Sequence, residues 1–184
     1  MTGASKGIGA GIAKGLAAEG AAVVINYASS KDGADRVVAD IKAKGGKAIA
    51  VQCDVAKAAD VKKIFAETKQ AFGRLDILVN NAGVCNLLPL EEVTEADFHR
   101  HFNINVLGLL LATHEAAKLF GDEDGCVINI GSVASDLNPP NSVVYAGRGV
   151  LGVGRVALGH RRYAGGFGGR ELRRSRPCDG AHRR

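Results

Sequence analysis

The chain has 184 residues, 46% of them hydrophobic, enough for one domain with a packed core and too apolar for a disordered chain. Its formal charge of +5 is unevenly spread: residues 1–147 carry 14 Lys and Arg against 17 Asp and Glu, whereas residues 148–184 carry ten Arg against Glu171 and Asp179, so the basicity belongs to a tail and gives little ground for nucleic-acid binding. No run of about 18 apolar residues could span a bilayer, MTGASKG lacks the regions of a signal peptide, and a cytoplasmic location is expected.

In chain order, Gly7 to Ala18 carries Ile8, Ile12 and Leu16 at helical spacing after a glycine-rich start, with Gly20 as the C-terminal stop. AAVVINY (21–27) reads as a strand, Lys31 to Lys44 as an amphipathic helix ended by Gly45 and Gly46, and KAIAVQCDV (47–55) as a second strand. Val61 to Phe72 reads as a helix and LDILVNNAG (75–83) as a buried strand running into a loop. Residues 94–120 open on a capping pattern, Thr94 with Asp97 three residues later, and are long enough for one bent helix or two short ones. GCVINIGSVAS (125–135) is a further strand. After Tyr145 only a weak apolar periodicity persists through Val150, Leu151, Val153, Val156 and Leu158, and no packed element is expected there.

Near-continuous apolar strands alternating with helices predict an α/β fold, a Rossmann-like doubly wound parallel sheet. Eight such units for a barrel would need more chain. Cys53, Cys85, Cys126 and Cys178 form no CxxC pair and are expected as reduced thiols. His99 and His101 form an HxH pair with no third ligand nearby; no metal site is expected, and these histidines are expected to face solvent. His114 is expected to be structural.

TGASKGIG (Thr2 to Gly9) places glycines at 3, 7 and 9 where a strand should turn into a helix. Such a turn permits close approach of a pyrophosphate, held by backbone N–H groups and the positive end of the helix dipole, although glycine-rich turns also serve only to pack a helix on a sheet. Together with NNAG at Asn80 to Gly83, Asn105 in NIN, and Ser132 thirteen residues before Tyr145, this turn resembles the short-chain dehydrogenase/reductase family, in the manner of its ketoacyl-carrier-protein reductases and glucose dehydrogenases. The resemblance covers residues 1 to about 147.

It implies hydride transfer between a nicotinamide dinucleotide and a small carbonyl or alcohol substrate. Gly3, Ser5, Lys6, Ile8 and Gly9 would cradle the phosphates, Asp54 and Val55 would touch the adenine, and Asn81 and Gly83 would border the adenosine ribose. Asn80 would tie strands together. Tyr145 would give a proton to the carbonyl oxygen, Ser132 would hydrogen-bond that oxygen, and Asn105 would hold a water of the proton relay. Where the family places an acid against the ribose 2′-hydroxyl, this chain has Asn26 to Ser30 with no acid, and Lys6 adds a positive charge, so NADP is favoured over NAD. A homo-oligomer through residues 94–120 would also follow.

Two departures stand out. The family's lysine one helical turn after the tyrosine, which favours the phenolate, is Gly149 here. Arg148 lies about 100° further round a helix and does not replace it. The family's first strand, central in the sheet, precedes the glycine turn, whereas here only Met1 stands before Thr2. The expected organisation is therefore a partial dinucleotide-binding domain over 1–147 and an Arg/Gly-rich tail over 148–184, truncated at both ends and out of frame or disordered in the tail. Synonymous codons can be chosen for Gly169 to Gly180 that, read one base later, give GVNSVAPGPAT, a run of the family's type. A catalytically inactive member that keeps nucleotide or partner binding is the alternative expectation.

Overall fold

The structure is a computed structural model that describes residues 1–120 and 125–147 and the main chain of residues 155–158. Four parallel-type strands follow the sequence pattern: β1 (Ala22–Tyr27), β2 (Lys47–Gln52), β3 (Ile77–Asn80) and β4 (Gly125–Asn129). Between them run α1 (Gly7–Ala18), α2 (Lys31–Ala43) and α3 (Ala58–Phe72). The third helix starts three residues before the sequence pattern does, because Ala58, Ala59 and Asp60 extend it without contributing an apolar stripe. Gly20, Gly45 and Gly73 end these helices at positive φ.

The 94–120 segment is one interrupted helix. Its start, α4 (Glu95–Phe102), carries the expected capping box: the Asp97 N–H donates to Thr94 Oγ1 at 3.2 Å and the Thr94 N–H returns to Asp97 Oδ2 at 3.2 Å. The Thr94 hydroxyl, which donates to Asp97 Oδ2 at 2.5 Å, and after it the Thr94 N–H hold the Asp97 carboxyl below the usual carboxylate range. A π-turn at Asn103–Leu107 then leads into α5 (Gly108–Leu119). Short helices α6 (Ala134–Leu137) and α7 (Val143–Ala146) follow β4.

Two apolar layers cover opposite faces. Val23, Ile25 and Ala48 pack with α1 and α2, while Val24, Val51, Leu78 and Val127 pack with α3 and α5. This is the doubly wound arrangement. The sheet is nevertheless split, with β1–β2 in one part and β3–β4 in the other. Residues 1–4 lie between the parts: Thr2 donates to Val79 O at 3.0 Å, Asn26 donates to Met1 O at 3.2 Å, and Ala4 donates to Asn26 O at 2.9 Å. They join the two parts through main-chain hydrogen bonds.

The expectation of no packed element after Tyr145 fails for four residues. Arg155–Leu158 forms β5, antiparallel to β4 with Gly125 opposite Leu158. An edge of β4 with unpaired N–H and C=O groups recruits even a short run, and Arg-Val-Ala-Leu suffices. Arg148, Gly149 and Cys178, and with them the expectations for the rest of the tail, lie outside the described residues.

Candidate active site

The carboxyl ends of β1, β2, β3 and β4 and the start of α1 open on one edge of the sheet, the edge at which doubly wound folds bind ligands. Gly3 (φ 61°) and Gly7 (φ 57°) take left-handed conformations that shape the turn. A Cβ on Gly9 would lie 2.4 Å from Gly3 O and 2.6 Å from Asn81 Nδ2, so the turn closes only without one. Lys6, exposed, is the N-cap residue of α1, where no side chain caps the helix and no acid occupies the first turn. The first amides of α1 are therefore open to an anion. Ser5 is half-buried and Ile8 is exposed beside them. This cradle fits a dinucleotide's phosphates.

The turn is held from both parts of the sheet. Asn26, buried in β1, accepts the Gly3 N–H on Oδ1 at 3.0 Å and donates through Nδ2 to Cys53 O at 2.9 Å. From beyond β3, Asn81 Nδ2 donates to Thr2 O at 3.0 Å and Gly3 O at 2.9 Å, and the N–H groups of Asn81 and Ala82 converge on Thr2 Oγ1 at 2.9 and 3.0 Å. Motif spacing does not mark Thr2 or Asn26 as a positioning residue, although an Asn inside the run AVVINY is the kind of polar intrusion that signals one. Replacing Asn26 with Leu should orphan the Gly3 N–H and the Cys53 carbonyl and cost about 2–3 kcal/mol in chemical denaturation. A loss below about 0.5 kcal/mol would show that those groups find other partners.

Asn80 does tie strands, donating to Asn129 Oδ1 at 2.9 Å and Thr113 Oγ1 at 3.2 Å. Beyond β2, Asp54 accepts the Ala56 N–H at 3.1 Å, and Val55 packs so closely on α5 that a Cβ on Gly108 would meet Val55 Cγ2 at 2.8 Å. Burial, with Asp60 and Asp54 nearby, pushes the Cys53 thiol up to about 12, which leaves it unreactive.

Asn105, buried in the π-turn, closes both ends of its amide on one residue: Oδ1 accepts the Val84 N–H at 2.8 Å and Nδ2 donates to Val84 O at 2.9 Å. The second amide hydrogen and the second oxygen lone pair are what it has left for a water. A Cβ on Gly83 would come within 3.2 Å of Asn105 Oδ1, so this loop and the π-turn are in direct contact. Ser132 follows β4, and its Oγ accepts the Ala134 N–H at 3.2 Å. Tyr145 is half-buried on α7, which packs on α6, two residues after Ser132, and on α4. Leu88 donates to Asn141 O at 2.9 Å, joining the loop after β3 to the segment that leads into α7.

His101 corrects the expectation for the histidine pair. It is buried at 2% exposure; its Nε2 accepts the Asn86 N–H at 3.0 Å and its Nδ1 faces Asp97 O at 2.8 Å. Two positions apart on a helix, the imidazoles point in different directions, and only His99 stays in solvent beside Glu95. Among the described residues no three His, Cys, Asp or Glu side chains gather as a metal site, and no helix is long and apolar enough to cross a membrane.

Residues 1–148 match the family model for short chain dehydrogenases. An uncharacterized oxidoreductase of Methylorubrum extorquens is 58% identical over 147 residues, covering 80% of this chain and 59% of the relative. A 3-oxoacyl-[acyl-carrier-protein] reductase of Synechocystis sp. is 43% identical over 155 residues, covering 83% of this chain and 63% of the relative. Among solved structures, a short chain dehydrogenase of Burkholderia cenocepacia in complex with NADP is 41% identical with a TM-score of 0.76, covering 80% of this chain and 60% of that one. The chain thus spans about three fifths of the length of the relatives it matches. With the glycine turn, the doubly wound sheet and the matched 148 residues in agreement, the chain belongs to the short-chain dehydrogenase family.

Proposed function

We propose that this chain carries a site for hydride transfer between NADP(H) and a carbonyl or alcohol, impaired by Gly149 standing where the family has its lysine. The observation that carries the reading is the uncapped, acid-free start of α1 beneath the Gly3–Gly9 turn, on the sheet edge that also bears Asn81, Asn105, Ser132 and Tyr145. The NADP complex of the Burkholderia relative supports the choice of dinucleotide, as does the exposed end of β1, where Ala28 and Ser29 offer no carboxylate to repel a 2′-phosphate. The acyl-carrier reductase among the relatives supports an acyl carbonyl as substrate.

When bound, the dinucleotide would supply the hydride. Gly3, Ser5, Lys6, Ile8 and Gly9 would hold its phosphates by main-chain donors and one cation, Asp54 and Val55 would border the adenine, and Asn81 and Gly83 would border the ribose. Ser132 hydrogen-bonds the carbonyl oxygen, Tyr145 gives it a proton, and Asn105 orders a water behind that proton. The setting is cytoplasmic, in keeping with the free thiols of Cys53, Cys85 and Cys126. Phe98, Leu107 and Leu110 leave apolar surface exposed along 94–120, which suits a second copy of the chain.

The second reading, favoured by Gly149, is nucleotide or partner binding without turnover. Purified chain titrated with NADPH and NADH, then assayed with a diketone or an acetoacetyl thioester, separates the two. The expected result is at least about tenfold tighter binding of NADPH and slow, carbonyl-dependent oxidation. Tight NADPH binding with no turnover would establish the second reading, and no dinucleotide binding would overturn the first reading and the nucleotide half of the second.

A further inference from the structure

The stretch from Val84 to Leu88 follows β3 and is held at every second residue. The Val84 N–H donates to Asn105 Oδ1 at 2.8 Å, the Asn86 N–H to His101 Nε2 at 3.0 Å, and the Leu88 N–H to Asn141 O at 2.9 Å. Main-chain groups of alternate residues turn to one side of an extended chain, so one edge of this stretch is read by α4, by the π-turn and by the chain that leads into α7. Two side chains and one carbonyl do here what a neighbouring strand does in a sheet.

His101 makes the middle contact. It lies four positions before Asn105, and at that spacing both side chains sit on the side of the helix that faces the stretch. Its two partners are main-chain groups of fixed sense, since Asp97 O can only accept and the Asn86 N–H can only donate. The buried ring therefore keeps its proton on Nδ1 and presents a bare lone pair at Nε2. The third contact carries the placement onward. Asn141, at φ 63°, stands four residues before Tyr145. Its neighbour Ser142 is buried, donates through Oγ to Pro139 O and accepts the Ala146 N–H at 2.6 Å. The α7 turn that bears Tyr145 also packs on α4, the helix that bears His101.

We infer that His101 is a positioning residue for Tyr145: its Nε2 fixes the Val84–Leu88 stretch beside Asn105, and the Leu88 to Asn141 bond passes that placement on to α7. The role rests on the hydride-transfer reading of Tyr145. A side chain without the acceptor leaves Val84 clamped by Asn105 but frees Asn86, and with it Leu88 and Asn141. Misplacing a proton donor by about 1 Å costs about a hundredfold in rate. The phosphate cradle, on α1 and the Gly3–Gly9 turn, is untouched.

The test compares two substitutions that each keep one of the ring's hydrogen bonds. His101→Gln keeps an acceptor, Oε1, at the reach of Nε2, and His101→Asn keeps a donor for Asp97 O but gives up that acceptor. Hydrogen exchange is read by NMR at Asn86 and Leu88, with the amides of β1 and β2 as the control, and diketone or acetoacetyl thioester turnover is measured at saturating NADPH. Nitrogen-15 spectra of the parent should show the imidazole proton on Nδ1. His101→Asn should speed exchange at Asn86 and Leu88 at least about tenfold with the control amides unchanged. It should lower kcat about tenfold to a hundredfold and leave NADPH affinity within about twofold. His101→Gln should restore exchange and kcat to within about threefold of the parent. A proton on Nε2, equal effects of Gln and Asn, or exchange that quickens alike throughout the chain would reduce His101 to packing and overturn the inference. A parent chain without turnover would sink the hydride-transfer reading but not the tie, which the exchange data then decide alone: quickening at Leu88 in His101→Asn and not in His101→Gln upholds it, and an unchanged Leu88 overturns it.

Discussion

On the proposed hydride-transfer reading, the Tyr145→Phe chain is expected to reduce a diketone or acetoacetyl thioester about a hundredfold to ten-thousandfold more slowly than the parent chain, the range set by loss of one positioned proton donor. Phenylalanine keeps the ring, which is half-buried where α7 meets α6 and α4, and it leaves untouched the main-chain bonds of that turn, Ala146 to Ser142 O at 2.6 Å and Gly147 to Val143 O at 3.0 Å. The phosphate cradle lies on other elements, so the affinity for NADPH should not change. Single-turnover rates with saturating NADPH make the comparison independent of binding. Equal rates in the two chains would remove Tyr145 from the chemistry, and a parallel loss of NADPH affinity would reassign it to packing.

Placing a methyl group at Gly9 should be as damaging at the other end of the site. The alanine Cβ would lie 2.4 Å from Gly3 O and 3.0 Å from Ala4 Cα, both main-chain atoms that cannot rotate away. The turn must open, and NADPH affinity should fall about a hundredfold or more while stability drops by about 1–3 kcal/mol. Gly11, on the same helix with nothing within 4 Å of its would-be Cβ, provides the control. Gly11→Ala should stabilise the chain by about 1 kcal/mol through helix propensity alone. Calorimetric titration of both variants tests the pair; unchanged affinity in Gly9→Ala would mean that the turn does not form the site.

Much of this architecture can be read in the sequence because its signals are local. Periodicity and terminal glycines fix α1 and α2 nearly to the residue, and Thr94 with Asp97 announces the start of α4. What is hard to read depends on chain segments far apart. The burial of His101 rests on a main-chain donor fifteen positions earlier, and the clamp by Asn26 rests on Gly3 and Cys53 meeting across two strands. Residue order alone carries neither distance. The pairing of Arg155–Leu158 with β4 is set by an open edge rather than by a strong pattern in those four residues. For the proposed site, motif spacing nominates Gly3, Asn81, Asn105, Ser132 and Tyr145. It does not show that Asn105 and Asn81 spend part of their hydrogen-bonding capacity on holding the main chain in place.

Residues 1–4 bridge the divided sheet and run directly into the Gly3–Gly9 turn. Whatever restrains this short segment from one side lowers the entropic cost of restraining it from the other. A ligand that orders the turn therefore also orders the junction between β1 and β3, so its binding is felt in the main chain of both parts of the sheet.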